Sequence, residues 1–453
     1  MTAASRSLVR VGRRSGEPGS RPRRMSAAWS AMTRAAAPLV LLALAAAGIA
    51  WLRIPIADRD VLWAEDGRNF LQGALDGTPA GVFQSYAGYL HVVPRMLATL
   101  VVATVPVGGW AVAMTAGSCL IAGILALVVF VSARTIIPAV APRLAIALLT
   151  VLAPLASREV LGNAANLHSL FLWTLFWMLL GRPRSRAGAA ALAAVGLLGA
   201  LTEIQTLLLL PLLLVGWRDR RRWLVRGAVL LGVLAQLTVT VLWPRGASGH
   251  PPIAPLSLPY GYLINVLMPF VLPRSTIGPT LVASGPLVGV LLLAGVGACA
   301  AWALHRGRRP RIAVIALLAG SVLAYCAAVV DNPNAFLDYA ELTRTQLENV
   351  WFVRYGVVPS MMVGAVVIIG LFALFRRIDR GWIRVGIVAI VVIGLVVNLA
   401  PEATRRTGGP SWSAGVVAAA EQCERRPGMT TVSVAETISW RVVLPCTLLT
   451  SGG

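Results

Sequence analysis

Two acids stand side by side at Glu65 and Asp66, inside the string WAEDGRNF. Adjacent carboxylates point in different directions in an extended chain or a helix, so they cannot serve one atom alike. One can take a proton as general base while the other orients a partner or holds a cation. Such a base needs a partly dry site within hydrogen-bond reach of the proton it removes. The flanking Trp63, Gly67 and Phe70 suit a loop that turns sharply and packs on an apolar surface. The same string also reads as a solvated turn in which Asp66 caps a short helix. Taken alone, the pair does not choose between the two.

Other residues could hold a substrate. Arg354-Tyr355 stands immediately before an apolar stretch, where a rigid guanidinium fork could grip a phosphate. The pair could equally anchor a helix end at a membrane interface, a depth that Tyr and Arg favour. Arg95 and Arg68 are further phosphate candidates. His168, with Asn163 and Asn166, could bind sugar hydroxyls or simply finish a helix end, and His91 reads the same way. Glu203 lies among apolar residues, either as a functional carboxylate or as the internal partner of an arginine. The four histidines form no HExxH string and the cysteines no CxxC, so no metal site is signalled. Neither a P-loop nor a Gly-rich dinucleotide fingerprint is present.

The elements that must position these residues are membrane helices. The chain has 453 residues, 57% apolar and only 13% charged, with a mean hydropathy of +0.76. A soluble fold could not cover so much apolar side chain with so few charges. All forty basic residues are Arg, a usage typical of a GC-rich bacterial genome, and the net charge is +22. That charge would suggest nucleic acid in a soluble protein, but here its placement reports topology. Residues 1–34 hold eight Arg and one acid, Glu17, and read as a disordered cytoplasmic tail. The first span, about Ala36 to Ala57, then exits outward; its length argues against a cleavable signal. The remaining Arg clusters all fall inside with ten further spans: Trp110–Ser132, Leu144–Ser157, Asn166–Gly181, Ala187–Leu201, Ile204–Trp217, Leu224–Trp243, Leu281–Leu304, Ile312–Val330, Gly356–Phe375 and Ile383–Ala400. The expected class is therefore all-α: a polytopic membrane protein of about eleven helices, N-terminus inside and C-terminus outside. The membrane domain covers 35–400, with an outer first loop at 58–90 and a small extracytoplasmic segment at 401–453.

Three details refine this layout. His91–Gly108 is apolar, but counting it as a span would invert everything after it, so it reads as an interfacial helix. The segments between Arg182–Arg186 and Arg218–Trp223 give each leg of a hairpin about 15 residues, or ~22 Å, less than a hydrocarbon core of ~30 Å. The turn at Thr202–Thr206 should sit below the outer surface and line a wet cavity. The turn at Arg158–His168 behaves alike, and the two suggest a groove open to the outer leaflet. Cys423 and Cys446, both in the outer tail, are candidates for a disulfide, while Cys119, Cys299 and Cys326 lie in spans.

On this layout the chain resembles the GT-C superfamily of integral-membrane glycosyltransferases. The likeness is carried by the Glu65-Asp66 pair in the first outer loop, interfacial helices after it, about eleven spans and Arg354-Tyr355 before a late span. GYLHVVPRMLA, from Gly88 to Ala98, and the turn Asn163–His168 extend it. The family is similar to protein O-mannosyltransferases and aminoarabinose transferases. The resemblance implies transfer of a hexose or pentose from a polyprenyl-phosphate donor to an extracytoplasmic acceptor in a bacterial cell membrane. It places the base on Asp66 or Glu65 and phosphate binding on Arg354 or Arg95. Its partners would be membrane lipid and lipid-linked sugar, not nucleic acid; it requires no organic cofactor and leaves room for a divalent metal. Two departures stand out: no large outer domain is present, and the acids run Glu-Asp where several relatives show Asp-Glu. A lipid or polysaccharide transporter, and a polymerase or ligase of lipid-linked glycans, are the competing readings.

Overall fold

A computed structural model describes residues 21–450 except 78, 247, 248, 306 and 438, with side chains from residue 37 onward save those at 79, 80 and 397. The tail at 1–20 lies outside the described residues. A helix already begins at Arg21, within the stretch expected to be disordered, and runs to Leu52. The chain divides into two compact units, Met1–Leu41 and Leu42–Gly453; everything below concerns the second.

The fold is a helical bundle with two small two-stranded ribbons. Among the described residues five helical stretches are long and apolar enough to cross a membrane: Val107–Ala133, Arg220–Leu242, Leu287–Leu304, Arg308–Asp331 and Arg354–Phe375. The first expected span lies within the Arg21–Leu52 helix, and the other five segments expected to span are shorter, at Val140–Leu152, Leu167–Leu180, Arg186–Ala200, Ile204–Leu214 and Gly381–Val396. The shortening has a local cause. Ile204–Leu214 is wound as a 3-10 run with Pro211 inside it, and Val140–Leu152 stops before Leu155, whose left-handed φ of 59° breaks the spiral. The interfacial segment forms a helix at Val92–Thr104, 13 residues or ~20 Å long, too short to cross.

Val357–Phe375 and Leu167–Leu180 form the centre and are buried along almost their whole length. Trp173, Phe176 and Trp177 fill the latter's core, and the Trp173 indole N–H donates to Thr150 Oγ1 at 3.0 Å. Peripheral helices instead expose apolar faces, among them Leu231, Leu234, Leu291, Ile315, Val385 and Ile393. Such faces suit hydrocarbon rather than water. The chain is thus a helical protein built to sit in a membrane.

Two ends can be told apart. The Trp110–Ala133 helix, ~36 Å long, begins at Trp110, which stacks on Trp412 of the tail segment at 6.0 Å. It ends beside Arg134, in a hollow lined by Arg134, Arg182, Arg184, Arg221, Arg222 and Arg309. Arg376 and Arg377 line a neighbouring hollow with Pro138 and Pro310. The Arg clusters between helices therefore gather at one end, while the first loop and the tail segment meet at the other.

That tail segment is a small folded unit. A helix at Trp412–Arg425 packs on an antiparallel ribbon of Thr431–Ala435 and Arg441–Pro445. Cys423 and Cys446 are joined, with Cα atoms 5.6 Å apart. The unit docks on the first loop. Trp412 donates to the Val107 carbonyl at 2.7 Å, Asp58 accepts from Thr404 and Thr407 at 2.6 Å each, and Asp60 accepts from Ser411 and Ser413.

Candidate active site

The acid pair parts at one backbone angle. Ala64 takes a left-handed φ of 51°, an uncommon conformation for a residue with a Cβ. Its N–H donates to Thr437 Oγ1 at 3.3 Å. Beyond it Asp66 turns into the protein and Glu65 faces a cavity. Asp66 is 2% exposed. Its two oxygens accept the N–H groups of Ala165 at 2.8 Å and Ala164 at 3.0 Å. Burial pushes its carboxyl up to about 6, against the pull of the Arg406 guanidinium and the two amides. Asp66 is a brace for the 162–165 turn and does not line the cavity.

That turn starts the Leu167–Leu180 helix. Asn163 Oδ1 accepts the Asn166 N–H at 2.9 Å, and Asn166 Nδ2 donates to the Glu159 carbonyl at 3.0 Å. Gly162 is needed here. Its φ is +68°, and a Cβ would come within 2.3 Å of Ile54. One turn on, His168 Nδ1 meets Glu203 Oε2 at 2.5 Å, and Glu203 Oε1 accepts the Gln205 N–H at 2.6 Å. With a carboxylate on Nδ1, that nitrogen is the one that donates.

The opposite wall comes from the end of the first loop. Ser85–Tyr86 and Tyr89–Leu90 form a hairpin whose turn residues, Ala87 and Gly88, both have positive φ, the geometry of a tight type I′ turn. Gly88 also lets Arg245 approach, since a Cβ would sit 2.9 Å from its backbone nitrogen. The Gln236 side chain completes the ribbon's edge like a short peptide, accepting from Leu90 N at 2.8 Å and donating to Leu90 O at 3.1 Å. His91 follows, caged by Tyr89 at 4.1 Å, Phe70 at 5.6 Å and Tyr86 at 5.7 Å. Burial, with His168 next, holds its pKa well below the ordinary value, so the ring is neutral. Thr202 Oγ1, accepting from Val93 N at 3.2 Å, ties the Glu203 turn to the same wall.

Arg354 closes the ring. Its Nη1 donates to Glu159 Oε1 at 2.6 Å, and Glu159 Oε2 lies 3.9 Å from Arg405. The guanidinium lies 5.5 Å from the centre of the Tyr355 ring. Arg245 stands nearby, held by Asn332 at 2.7 Å and Asp331 at 3.3 Å.

One cavity of about 420 Å³ is lined by Glu65, His91, Asn166, His168, Glu203, Arg354 and Tyr355, a volume within the range of ligand sites. Seven of the residues singled out above thus meet in one place. Asp66, Arg68 and Arg95 do not. Arg68 lies 4.9 Å over Trp440, and its backbone N–H donates to Glu436 at 3.0 Å. Arg95 is buried over Phe70 at 5.4 Å. Neither guanidinium is placed to grip a substrate in this cavity. The rest of the wall is mixed: Leu172, Ile204, Leu207, Leu208 and Val358 form an aliphatic part, and Tyr86, Tyr89, Ser169, Gln205, Arg245, Asp331 and Asn332 also face the cavity. Among the described residues no three His, Cys, Asp or Glu side chains come together as a metal-holding group.

Arg245, Glu159 and Glu436 were not picked out as site residues by the sequence reading. Glu436, 3% exposed, reaches from the tail unit to accept the Gly67 N–H at 3.3 Å and the Arg68 N–H. Burial, with Asp66 beside it, pushes its carboxyl up to about 8. It caps the exposed amides at the start of the Asp66–Leu71 π-helix, directly after Glu65. Its one advance signal was an acid in an otherwise apolar tail, TVSVAETISW. No protein-family profile matches the chain, and neither does any curated protein or solved structure.

Proposed function

We propose that this chain is an integral-membrane glycosyltransferase of the GT-C kind. It would act on the outer face of a bacterial cell membrane, with a polyprenyl-phosphate sugar as donor. The observation that carries this reading is the meeting of Glu65, the His168–Glu203 pair and Arg354-Tyr355 on one cavity that also has an aliphatic part, Leu172, Ile204, Leu207, Leu208 and Val358. That aliphatic part suits a prenyl chain. Cationic groups in the same cavity suit the phosphate attached to that chain.

In this scheme Glu65 is the general base. It takes the proton of an acceptor hydroxyl as that oxygen attacks the anomeric carbon of the donor. The bond from that carbon to the phosphate oxygen breaks, and its electron pair leaves with the polyprenyl phosphate. Arg354 and Arg245 stabilise the phosphate charge, and the sugar's configuration inverts. His168, held through Nδ1, and Asn166 offer hydrogen bonds to the sugar being transferred. In the same scheme Asp66 positions the 162–165 turn and does not take the proton, since it is buried against the Ala164 and Ala165 amides while Glu65 lines the cavity.

The test is transfer of radiolabelled sugar from a polyprenyl-phosphate donor by the purified chain in lipid. Glu65→Gln is expected to lose about 10²–10⁴-fold in rate with unchanged thermal unfolding. Asp66→Asn keeps only one acceptor oxygen for two amides, and is expected to lower stability by about 1–2 kcal/mol. Full activity in Glu65→Gln would sink the scheme. So would accumulation of substrate in vesicles without a covalent product, which would make the protein a transporter.

A further inference from the structure

A second chamber, of about 610 Å³, adjoins the first and shares Arg245, Asn332, Arg354 and Tyr355 with it. Those four residues form a throat between the two. We infer that the second chamber binds a water-soluble saccharide, and, resting on the transferase reading above, that this saccharide is the acceptor.

The argument lies in how the linings differ. Beyond the throat the first chamber carries a run of aliphatic side chains, Leu172, Ile204, Leu207, Leu208 and Val358, beside the Tyr86 and Tyr89 rings. The second is lined by Trp63, Phe336, Trp351, Asn334, Glu159 and Arg405, with little aliphatic surface. It is built from turns and loops, at the end of the molecule where the tail unit docks. A prenyl chain would find no comparable aliphatic run there. A simple anion would have no use for the aromatic rings. Strand addition by a polypeptide needs a sheet edge for its amides, and neither ribbon lines the chamber.

The aromatic rings are stacked and held. The Arg405 guanidinium lies 3.4 Å from the Trp351 ring centre. Phe336 stacks on Trp351 at 5.4 Å, with the planes 23° apart. The stack leaves Phe336 55% exposed and Trp351 42% exposed. Asn334 Oδ1 accepts the Phe336 N–H at 3.1 Å and fixes the turn that carries this ring. A large flat ring held open to water beside a carboxylate, amides and guanidinium groups matches the two sides of a pyranose. The sugar's C–H face packs on the ring, and its hydroxyls pair with Glu159, Asn332 and Arg405. A saccharide seated there presents one hydroxyl through the throat toward Glu65. The first chamber, with its aliphatic run, and the second, with its exposed aromatic stack, thus divide donor from acceptor.

Saturation-transfer NMR on the full chain in lipid nanodiscs tests this, with a panel of methyl hexosides and pentosides and short oligosaccharides as probes. Polyprenyl-phosphate binding is measured separately on the same samples. Wild type is expected to bind members of the saccharide panel. Phe336→Leu, which keeps apolar bulk but loses the flat face, is expected to weaken that binding at least tenfold, and Phe336→Trp to retain it. Polyprenyl-phosphate binding is expected to stay unchanged in both. No signal from any saccharide, equal binding by Phe336→Leu, or a short peptide binding there instead would overturn the inference. Saccharide binding that follows Phe336 with no transfer from any polyprenyl-phosphate sugar would uphold the chamber and refute the transferase. Transfer whose acceptor KM ignores Phe336 would do the reverse.

Discussion

The two ends of the bundle use arginine in opposite ways. At the cavity end three guanidiniums have specific partners: Arg354 with Glu159, Arg245 with Asp331 and Asn332, Arg406 with Thr115 and the Gly162 carbonyl. At the other end six arginines surround a hollow in which the sole lining acid is Asp219, 2.9 Å from Arg182 and 3.5 Å from Arg222. Position matters at the first end and number at the second. Clustered positive charge is the pattern by which membrane helices are oriented, and in that pattern one arginine substitutes for another. Charge at the first end shapes a site, and each group there depends on its neighbour.

If this contrast holds, single substitutions should be costly at the cavity end and mild at the basic end. The largest effect is expected from the disulfide. It closes a sequence separation of 23 residues, for which chain entropy suggests about 3 kcal/mol. Cys423→Ser should loosen the tail unit alone, seen as new proteolytic cleavage after residue 400 with the membrane helices still protected. Glu159→Gln comes next. It strips the carboxylate from Arg354 and Arg405, but Arg354 keeps 31% side-chain exposure. A loss of about 2 kcal/mol in thermal unfolding is therefore expected, below the ~3–5 kcal/mol of a wholly buried pair.

A pH effect follows at the cavity end. Asp66 and Glu436 are pushed up from 3.8 and 4.5 to about 6 and about 8. Both bind a proton more readily folded than unfolded. Their contribution to stability is complete below about pH 4 and is lost as pH rises through about 6 and then about 8. The unfolding temperature should fall between about pH 4 and about pH 8, and Glu436→Gln should flatten the part between about 6 and about 8. The smallest effect belongs to the basic end. Asp219→Asn should change stability by no more than about 1 kcal/mol, as for other partly exposed ion pairs. A large loss there, or none at Glu159, would erase the distinction between the ends.

Much of this architecture was legible in the amino-acid order. The apolar runs report the helices, and the Arg clusters report a shared end. Glu203 stood out as a carboxylate among apolar residues, but the partner expected for it was an arginine, and the structure pairs it with His168 instead. What was hidden is pairing between distant loops. Glu436 and Gly67 are 369 residues apart, and no periodicity encodes their contact. The choice between Glu65 and Asp66 was hidden for a smaller reason: it turns on the φ of Ala64, which residue type does not predict. Arg68 and Arg95 looked like phosphate ligands because arginine is the same letter whether it faces a cavity or lies over an aromatic ring.

The docking of the tail unit on the first loop has a consequence for biogenesis. The segment bearing Glu65 leaves the ribosome before the tail unit, yet the amides beside it wait for Glu436, 369 residues after Gly67. Every helix between them must be made before the two can meet. A chain interrupted between these two points therefore holds its acid in an unfinished loop, and the site comes into being only once Glu436 has been added.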